Sequence, residues 1–347
     1  MNAPRLSICI PTYNFGQYIA ETLESMLHQI RPGVEIVVLD SGSSDNTSSV
    51  MSDLQTRHSC LRYNRVPDRQ GIDRDMARVV ELARGEYCWL FSADDLMAEG
   101  ALSRVLTEIN LTQDVYLCAH SNETLAMQLV SATHPIFNLS QDFSCQLDDL
   151  RCQLTYFRLA VTTEAFFSFI SGLIIRKAKW DSVRINEAFV GTCWAHVARL
   201  FEIIPSGLNV KFIASALVRR RGENDSFAMN GVVRRYALAI EGYQNLAAHF
   251  WGKSSNQAFH IRRVLRNEFR LRQFLEAKAL CSAHPERENR HLLDKLVVLM
   301  YSDWTFTCLI NRFVYWLFPT PLYSHVRAVY RFVRRRAMPG TRNTRIG

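Results

Sequence analysis

The chain predicts an α/β fold, a mostly parallel sheet flanked by helices, followed by a helical, basic C-terminal region. Three observations predict it. Short apolar runs without helical period alternate with segments of period 3.6 through the first hundred residues. Each run ends in polar, small or acidic residues, the side on which parallel sheets bind ligands. From Tyr236 onward, 18 Lys and Arg face 7 Asp and Glu, so this part carries +11 and the remainder −3 of the formal net +8. The predicted division is 1–235, an α/β domain, and 236–347, a helical region suited to a membrane surface.

The elements follow in order. Leu6-Ser7-Ile8-Cys9-Ile10 reads as a buried strand and runs into Pro11-Thr12-Tyr13-Asn14. Ile19, Leu23, Met26, Leu27 and Ile30 then share one face of a helix. Val34 to Leu39 is a second strand, and Asp40-Ser41-Gly42-Ser43-Ser44-Asp45-Asn46-Thr47 supplies a carboxylate, a turn and a helix cap. A third strand around Leu61 to Val66 and a helix from about Asp73 to Ala83 follow. Gly85 admits Tyr87-Cys88-Trp89-Leu90-Phe91, a fourth strand that ends in Ser92-Ala93-Asp94-Asp95. Such alternation implies right-handed crossovers, which bring Thr12 to Asn14, Asp40 and Ser92 to Asp95 to one sheet edge. That edge suits a nucleotide.

Adjacent carboxylates at a strand end repel unless a cation or hydrogen bonds hold them. Hard oxygen ligands suit Mg²⁺ or Mn²⁺, which such sites share with substrate phosphates. Asp94 and Asp95 are therefore the candidate metal ligands. The plain alternative is that they cap a helix near Glu99 to Ile109.

Together, Ile10-Pro11-Thr12-Tyr13-Asn14, Asp40 to Thr47, and Gly85-Glu86-Tyr87 leading to Asp94-Asp95 resemble the family 2 glycosyltransferases of the GT-A fold. The resemblance covers roughly the first hundred residues. It implies a nucleoside-diphosphate-sugar donor, held by Pro11, Thr12, Tyr13, Asn14, Asp40, Ser43, Asp75, Ser92 and Arg221, with the metal on Asp94. A dinucleotide-binding domain would need Gly-x-Gly-x-x-Gly after the first strand; only Gly16 follows. Two departures stand out. The family commonly has Asp-x-Asp where this chain has Ser92-Ala93-Asp94, and its Ala-Arg-Asn segment falls here on Asp75-Met76-Ala77. Gly71-Ile72-Asp73-Arg74-Asp75 with Tyr87 to Phe91 looks more like the abequosyltransferase-type branch, which uses cytidine donors of dideoxyhexoses in O-antigen assembly. Cytosine's exocyclic amine suits a carboxylate, so Asp40 and Asp75 would favour cytidine over uridine.

The middle of the chain is less periodic. Ser121 to Thr163 reads as an acceptor-side insertion, and Phe169 to Ile175 as a strand. A helix starts near Trp194 with Val197, Leu200, Phe201 and Ile204 on one face. Just before it, Thr192-Cys193 stands where many family members carry Glu-Asp, their catalytic base, and neither is a useful base near neutral pH. His196 is the nearest candidate base and Glu187 the second. Leu217-Val218-Arg219-Arg220-Arg221-Gly222-Glu223-Asn224-Asp225-Ser226 reads as an arginine-bearing lid over the donor diphosphate.

Nine cysteines, an odd number without Cys-x-x-Cys, argue against a disulfide framework and a structural zinc. The N-terminus enters the first strand with no signal peptide, which suggests a cytoplasmic enzyme. No nucleic-acid motif accompanies the basic region. Leu296 to Phe318 is apolar but interrupted by Asp303, Asn311 and Arg312, so it reads as a buried or interfacial helix, not a span. Val326, Val329, Tyr330 and Val333, with Arg327, Arg331, Arg334 and Arg335 opposite, read as a helix in an anionic membrane interface.

The function expected is therefore transfer of a sugar to a saccharide acceptor, lipid-linked, at the inner face of a bacterial cytoplasmic membrane. A nucleotidyltransferase and a catalytically degenerate sugar-nucleotide scaffold are the alternatives.

Overall fold

A computed structural model describes residues 3–225, 227, 230–285 and 288–319. The basic stretch from Val326 onward lies outside the described residues. Four strands, β1 (Leu6–Thr12), β2 (Val34–Ser41), β3 (Leu61–Val66) and β4 (Tyr87–Leu90), alternate with α1 (Ile19–Leu27), α2 (Thr47–Arg57) and α3 (Ile72–Leu82). All four strands are parallel, in the order β3-β2-β1-β4. Every residue of β1, β2 and β4 is buried, as continuous apolar runs covered on both faces require. Ile8, Ile10, Ile36, Val38, Trp89 and Phe91 form the centre of the core with Leu23 and Met26 of α1. Gly85 is needed where β4 enters: a Cβ there would stand 2.6 Å from the Ser7 nitrogen of β1.

The sheet then becomes mixed. Next come β5 (Leu96–Met97), α4 (Ala101–Glu108), β6 (Val115–Glu123), β7 (Leu129–Ser131), β8 (Phe143–Gln146) and α5 (Leu150–Leu159). These are followed by β9 (Leu173–Arg176), α6 (Lys177–Asp181), α7 (Ala195–Ile203) and β10 (Asn209–Arg221). The full order is β3-β2-β1-β4-β9-β6-β10-β5, with β9 antiparallel to β4 and β6, and β6 parallel to β10. β6 therefore points the same way as β4, and its end at Ser121 to Glu123 lies on the same edge as Asp94.

Several expectations are corrected. Gly100, not Asp94 or Asp95, occupies the cap of α4. Only Leu173–Arg176 of the expected strand from Phe169 is extended; Ile170–Gly172 forms a 3₁₀ turn. α7 is buried nearly all round, not on one face, and Arg199 satisfies the Trp180 and Val183 carbonyls from within it. The less periodic stretch from Ser121 to Thr163 holds β7, β8 and α5. One cysteine pair, Cys145 with Cys152, is bonded between β8 and α5, a single link and no framework.

The chain forms two compact units, Met1–Asp225 with Asn245–Val264, and Ser226–Gln244 with Leu265–Gly347. The described residues of the second unit are helical. It contains parts of α8 (Val232–Phe250) and α9 (Asn256–Glu268), and all of α10 (Leu271–Ala283), α11 (Arg290–Met300) and α12 (Phe306–Leu317). Phe274, Ala277, Leu293, Leu296 and Val297 are buried in it. No helix among the described residues is long and apolar enough to cross a membrane.

Candidate active site at the carboxyl edge of the sheet

Register places Thr12 opposite Asp40 at the ends of β1 and β2. Asp40 is fully buried; Oδ1 accepts from the Ser43 N–H at 2.8 Å and Oδ2 from the Tyr63 hydroxyl at 2.6 Å. Burial, and then the Asp40 carboxylate, push the Tyr63 hydroxyl up to about 12, so it stays a donor. Asn14, in the left-handed region at φ 58°, donates its N–H to Ser43 Oγ at 2.9 Å and accepts from the Ser44 N–H at 2.8 Å. Asp45 joins the same two loops by accepting from the Gly16 N–H at 2.9 Å. The loops after β1 and β2 are thus one hydrogen-bonded cradle. Pro11 and Thr12 are buried beneath it, and the Thr12 hydroxyl has no partner. The Arg69 guanidinium lies 4.2 Å over the Tyr13 ring. Asp75, in the first turn of α3, is buried beside Ser41; burial raises its carboxyl, while Ser41 and Arg69 pull it down.

Beyond β4, the Ser92 hydroxyl donates to Asp94 Oδ1, and Asn224 Nδ2 donates to Asp94 Oδ2 at 2.7 Å. Asp95 is buried, its Oδ2 accepting from Ser171 Oγ at 2.6 Å and its Oδ1 from the Arg221 N–H at 3.0 Å. Burial first, then the neighbouring Asp94 carboxylate, push Asp95 up to about 7. A divalent cation on Asp94 relieves that repulsion, and carboxylate oxygens are the donors Mg²⁺ or Mn²⁺ takes. Asp94 and Asp95 both offer donors of the kind such an ion takes, and the oxygens of both carboxylates accept from protein donors here.

The expected lid is a strand up to Arg221. Arg219 pairs with Glu123 at 2.9 Å. Arg221 is buried, donating from Nε to the Asp94 carbonyl at 2.8 Å, from one terminal nitrogen to the Leu125 carbonyl at 2.7 Å, and from the other to Glu21 at 2.5 Å. Its donors brace the Asp94 backbone. Only the loop from Gly222 to Asn224 leaves the sheet, and Asn224 reaches the carboxylate.

The two candidate bases stand apart in character. His196 is buried in α7 with Nε2 facing the Phe167 carbonyl at 3.0 Å, so that nitrogen carries the proton and Nδ1 is bare and unpartnered. Burial lowers it to about 4, although Asp73 pulls the other way. Glu187 is exposed and pairs with Arg74 at 2.8 Å.

Sequence reasoning passed over Asp73. Its Oδ2 accepts from the Gly191 and Cys193 N–H groups at 2.8 and 3.0 Å, and its Oδ1 from the Ala195 N–H at 3.0 Å. One carboxylate thus shapes the loop that stands in place of Glu-Asp, with Gly191 at φ 84° and Cys193 at φ 70°. Nothing in local spacing links Asp73 to a loop more than a hundred residues away. A second cluster escaped notice for the same reason. Glu164 accepts from His120 Nε2 at 3.2 Å, His134 Nε2 at 2.8 Å and Thr162 Oγ1 at 2.7 Å. Burial would raise Glu164, but the two histidine hydrogen bonds outweigh it and hold the carboxyl well below the usual range. Among the described residues these three side chains could also hold a metal ion.

Residues 7–131 match the profile of Glycosyl transferase family 2. Abequosyltransferase RfbV of Salmonella typhimurium is 28% identical over 267 residues, covering 76% of this chain and 80% of the relative. A GalNAc(5)-diNAcBac-PP-undecaprenol beta-1,3-glucosyltransferase of Campylobacter jejuni is 24% identical over 287 residues, covering 81% and 80%. Among solved structures, S. aureus TarS 1-349 in complex with UDP-GlcNAc aligns with a TM-score of 0.59 at 15% identity, covering 85% of this chain and 81% of that one. Mannosyltransferase PcManGT of Pyrobaculum calidifontis, in complex with GDP-Man and Mn²⁺, aligns with a TM-score of 0.50 at 16% identity, covering 95% and 88%.

Proposed function

We propose that this chain, whose residues 7–131 match Glycosyl transferase family 2 and whose sheet has the GT-A fold, moves a sugar from a nucleoside-diphosphate sugar to a saccharide acceptor in O-antigen or related surface-polysaccharide assembly. The observation that carries the reading is the meeting of Asp40 and Asp94 on one sheet edge, the first beside the cradle at Asn14 and Ser43, the second tied to Asn224. The family resemblance and the Salmonella and Campylobacter relatives support the sugar-transfer class.

In this reading the cradle and Asp75 hold the nucleoside, and Asp94 holds Mg²⁺ or Mn²⁺. When bound, the ion supplies positive charge to the leaving diphosphate. Asn224 and Ser92 fix the Asp94 carboxylate, and Arg221 fixes its backbone, so the ligand is preorganised. In this reading Glu187, exposed and paired with Arg74, takes the acceptor hydroxyl proton, and buried His196 does not. The donor is proposed to be a cytidine diphosphate dideoxyhexose, and the acceptor a lipid-linked saccharide at the cytoplasmic face of the membrane.

The test is incubation of the full chain with Mn²⁺, a lipid-linked saccharide and, in separate reactions, cytidine, uridine and guanosine diphosphate sugars. Mass spectrometry should find the acceptor one sugar heavier together with nucleoside diphosphate. Release of pyrophosphate without sugar transfer would instead identify a nucleotidyltransferase.

A further inference from the structure

α12 presents an apolar face to solvent. Phe306, Ile310, Phe313 and Leu317 recur at i, i+4, i+7 and i+11, with exposures of 79%, 42%, 65% and 62%, and Trp316 and Trp304 flank them at 48% and 94%. A single exposed apolar residue means little, but a stripe of this kind marks an interaction surface. The helix behind the stripe is firmly held. Tyr315 is buried, its hydroxyl donating to Asp294 at 2.6 Å, and Lys278 donates to the Tyr315 and Phe318 carbonyls at 2.6 and 2.9 Å, satisfying the helix end.

We propose that this face is the surface by which the protein lies on an anionic lipid bilayer. Tryptophan and phenylalanine suit the boundary between headgroups and acyl chains. The sequence directly after α12, residues 320–347, contains seven arginines and no acidic residue. Apolar insertion beside a polybasic segment supplies the two signals that stable peripheral binding requires. A symmetric dimer through the same face would instead bring two such cationic segments together. Since no described helix is long and apolar enough to cross a membrane, the contact lies in the plane of the interface. The inference deepens the proposed membrane location and uses none of the sugar chemistry, so activity on a soluble acceptor separates the two.

The experiment is sedimentation of the full chain with phosphatidylethanolamine–phosphatidylglycerol vesicles and with phosphatidylcholine vesicles. The parent should pellet with the anionic vesicles at low salt, with a blue shift of tryptophan fluorescence. Phe313→Ser combined with Trp316→Ser should weaken binding about tenfold or more, with thermal stability and transfer to a soluble acceptor unchanged. Arg334→Gln, Arg335→Gln and Arg336→Gln together should weaken binding to anionic vesicles and flatten its salt dependence. Equal binding by the parent and the Phe313/Trp316 variant would overturn the proposal. So would a dimeric parent made monomeric by that variant, which assigns the face to a second copy. Binding that emerges only when residues 320–347 are removed would overturn it too, assigning the face to the chain's own end.

Discussion

Asn224 donates to the Asp94 carboxylate at 2.7 Å, so the loop that leaves β10 holds the group that follows β4, 130 positions earlier in the chain. The metal ligand proposed here is therefore set by two distant segments. Asp94→Asn should keep the fold and lower turnover about a hundredfold or more, since it removes charge where the diphosphate leaves. Asn224→Ala should cost about tenfold, the worth of one charge-assisted hydrogen bond. Steady-state kinetics against Mn²⁺ concentration checks both; near-normal turnover of Asp94→Asn would remove Asp94 from the site.

Asp95 gives a signature in pH. Its carboxyl is raised to about 7 in the fold, against an ordinary value of 3.8, so the folded state holds a proton that the unfolded chain releases. Stability from this group is complete below about 4 and is lost as pH rises towards about 7. Thermal melts across that window should show the decline in the parent and a flatter profile in Asp95→Asn. Saturating Mn²⁺ should also flatten it. A parent profile matching that of Asp95→Asn would contradict the assignment.

Asp73→Ala removes the carboxylate that accepts from three N–H groups of the loop from Gly191 to Ala195. The expected loss is about 2–3 kcal/mol of unfolding free energy, read by denaturant titration, with faster amide exchange confined to that loop. Unchanged exchange there would mean the loop holds its shape without Asp73.

The two candidate bases separate by substitution. Glu187→Gln should lower kcat about a hundredfold with little change in melting temperature. His196→Asn should alter stability more than kcat, because its bare nitrogen is buried. For His196, lowered to about 4, stability is present above about 6.5 and is lost as pH falls towards about 4. A larger kcat loss in His196→Asn than in Glu187→Gln would reverse the roles.

Nucleotide choice tests the pocket. Calorimetry should show cytidine diphosphate binding more tightly than uridine diphosphate, with the preference reduced in Asp75→Ala. Equal or tighter uridine diphosphate binding in the parent would exclude Asp40 and Asp75 as readers of the cytosine amine.

The first hundred residues were legible because burial on both faces of a parallel sheet forces continuous apolar runs, and their ends announce themselves as Asp40 and Asp94. Helix α1 was legible by its apolar period, and α3 as the segment that alternates with the strands. β10 was not: its apolar and basic residues follow no clean alternation, so Leu217 to Arg221 read as a loop. Yet β6 and β8 flank the strand, with β5 at its far end. Such pairing is chosen by partners far along the chain, not by the residues themselves.

By itself, then, the sequence determined the α/β class, the parallel half of the sheet, the strand-end carboxylates and the concentration of positive charge near the C-terminus. Each is a local consequence of period, turn chemistry or composition. Tertiary structure alone decided that Arg221 braces the Asp94 backbone, that Asp73 shapes the loop at Gly191, that His120, His134 and Glu164 meet, and that α12 keeps its aromatic face outward. These outcomes depend on which distant segments share a hydrogen bond or leave a surface uncovered. No local pattern encodes that, because the partners are neighbours in space and not along the chain.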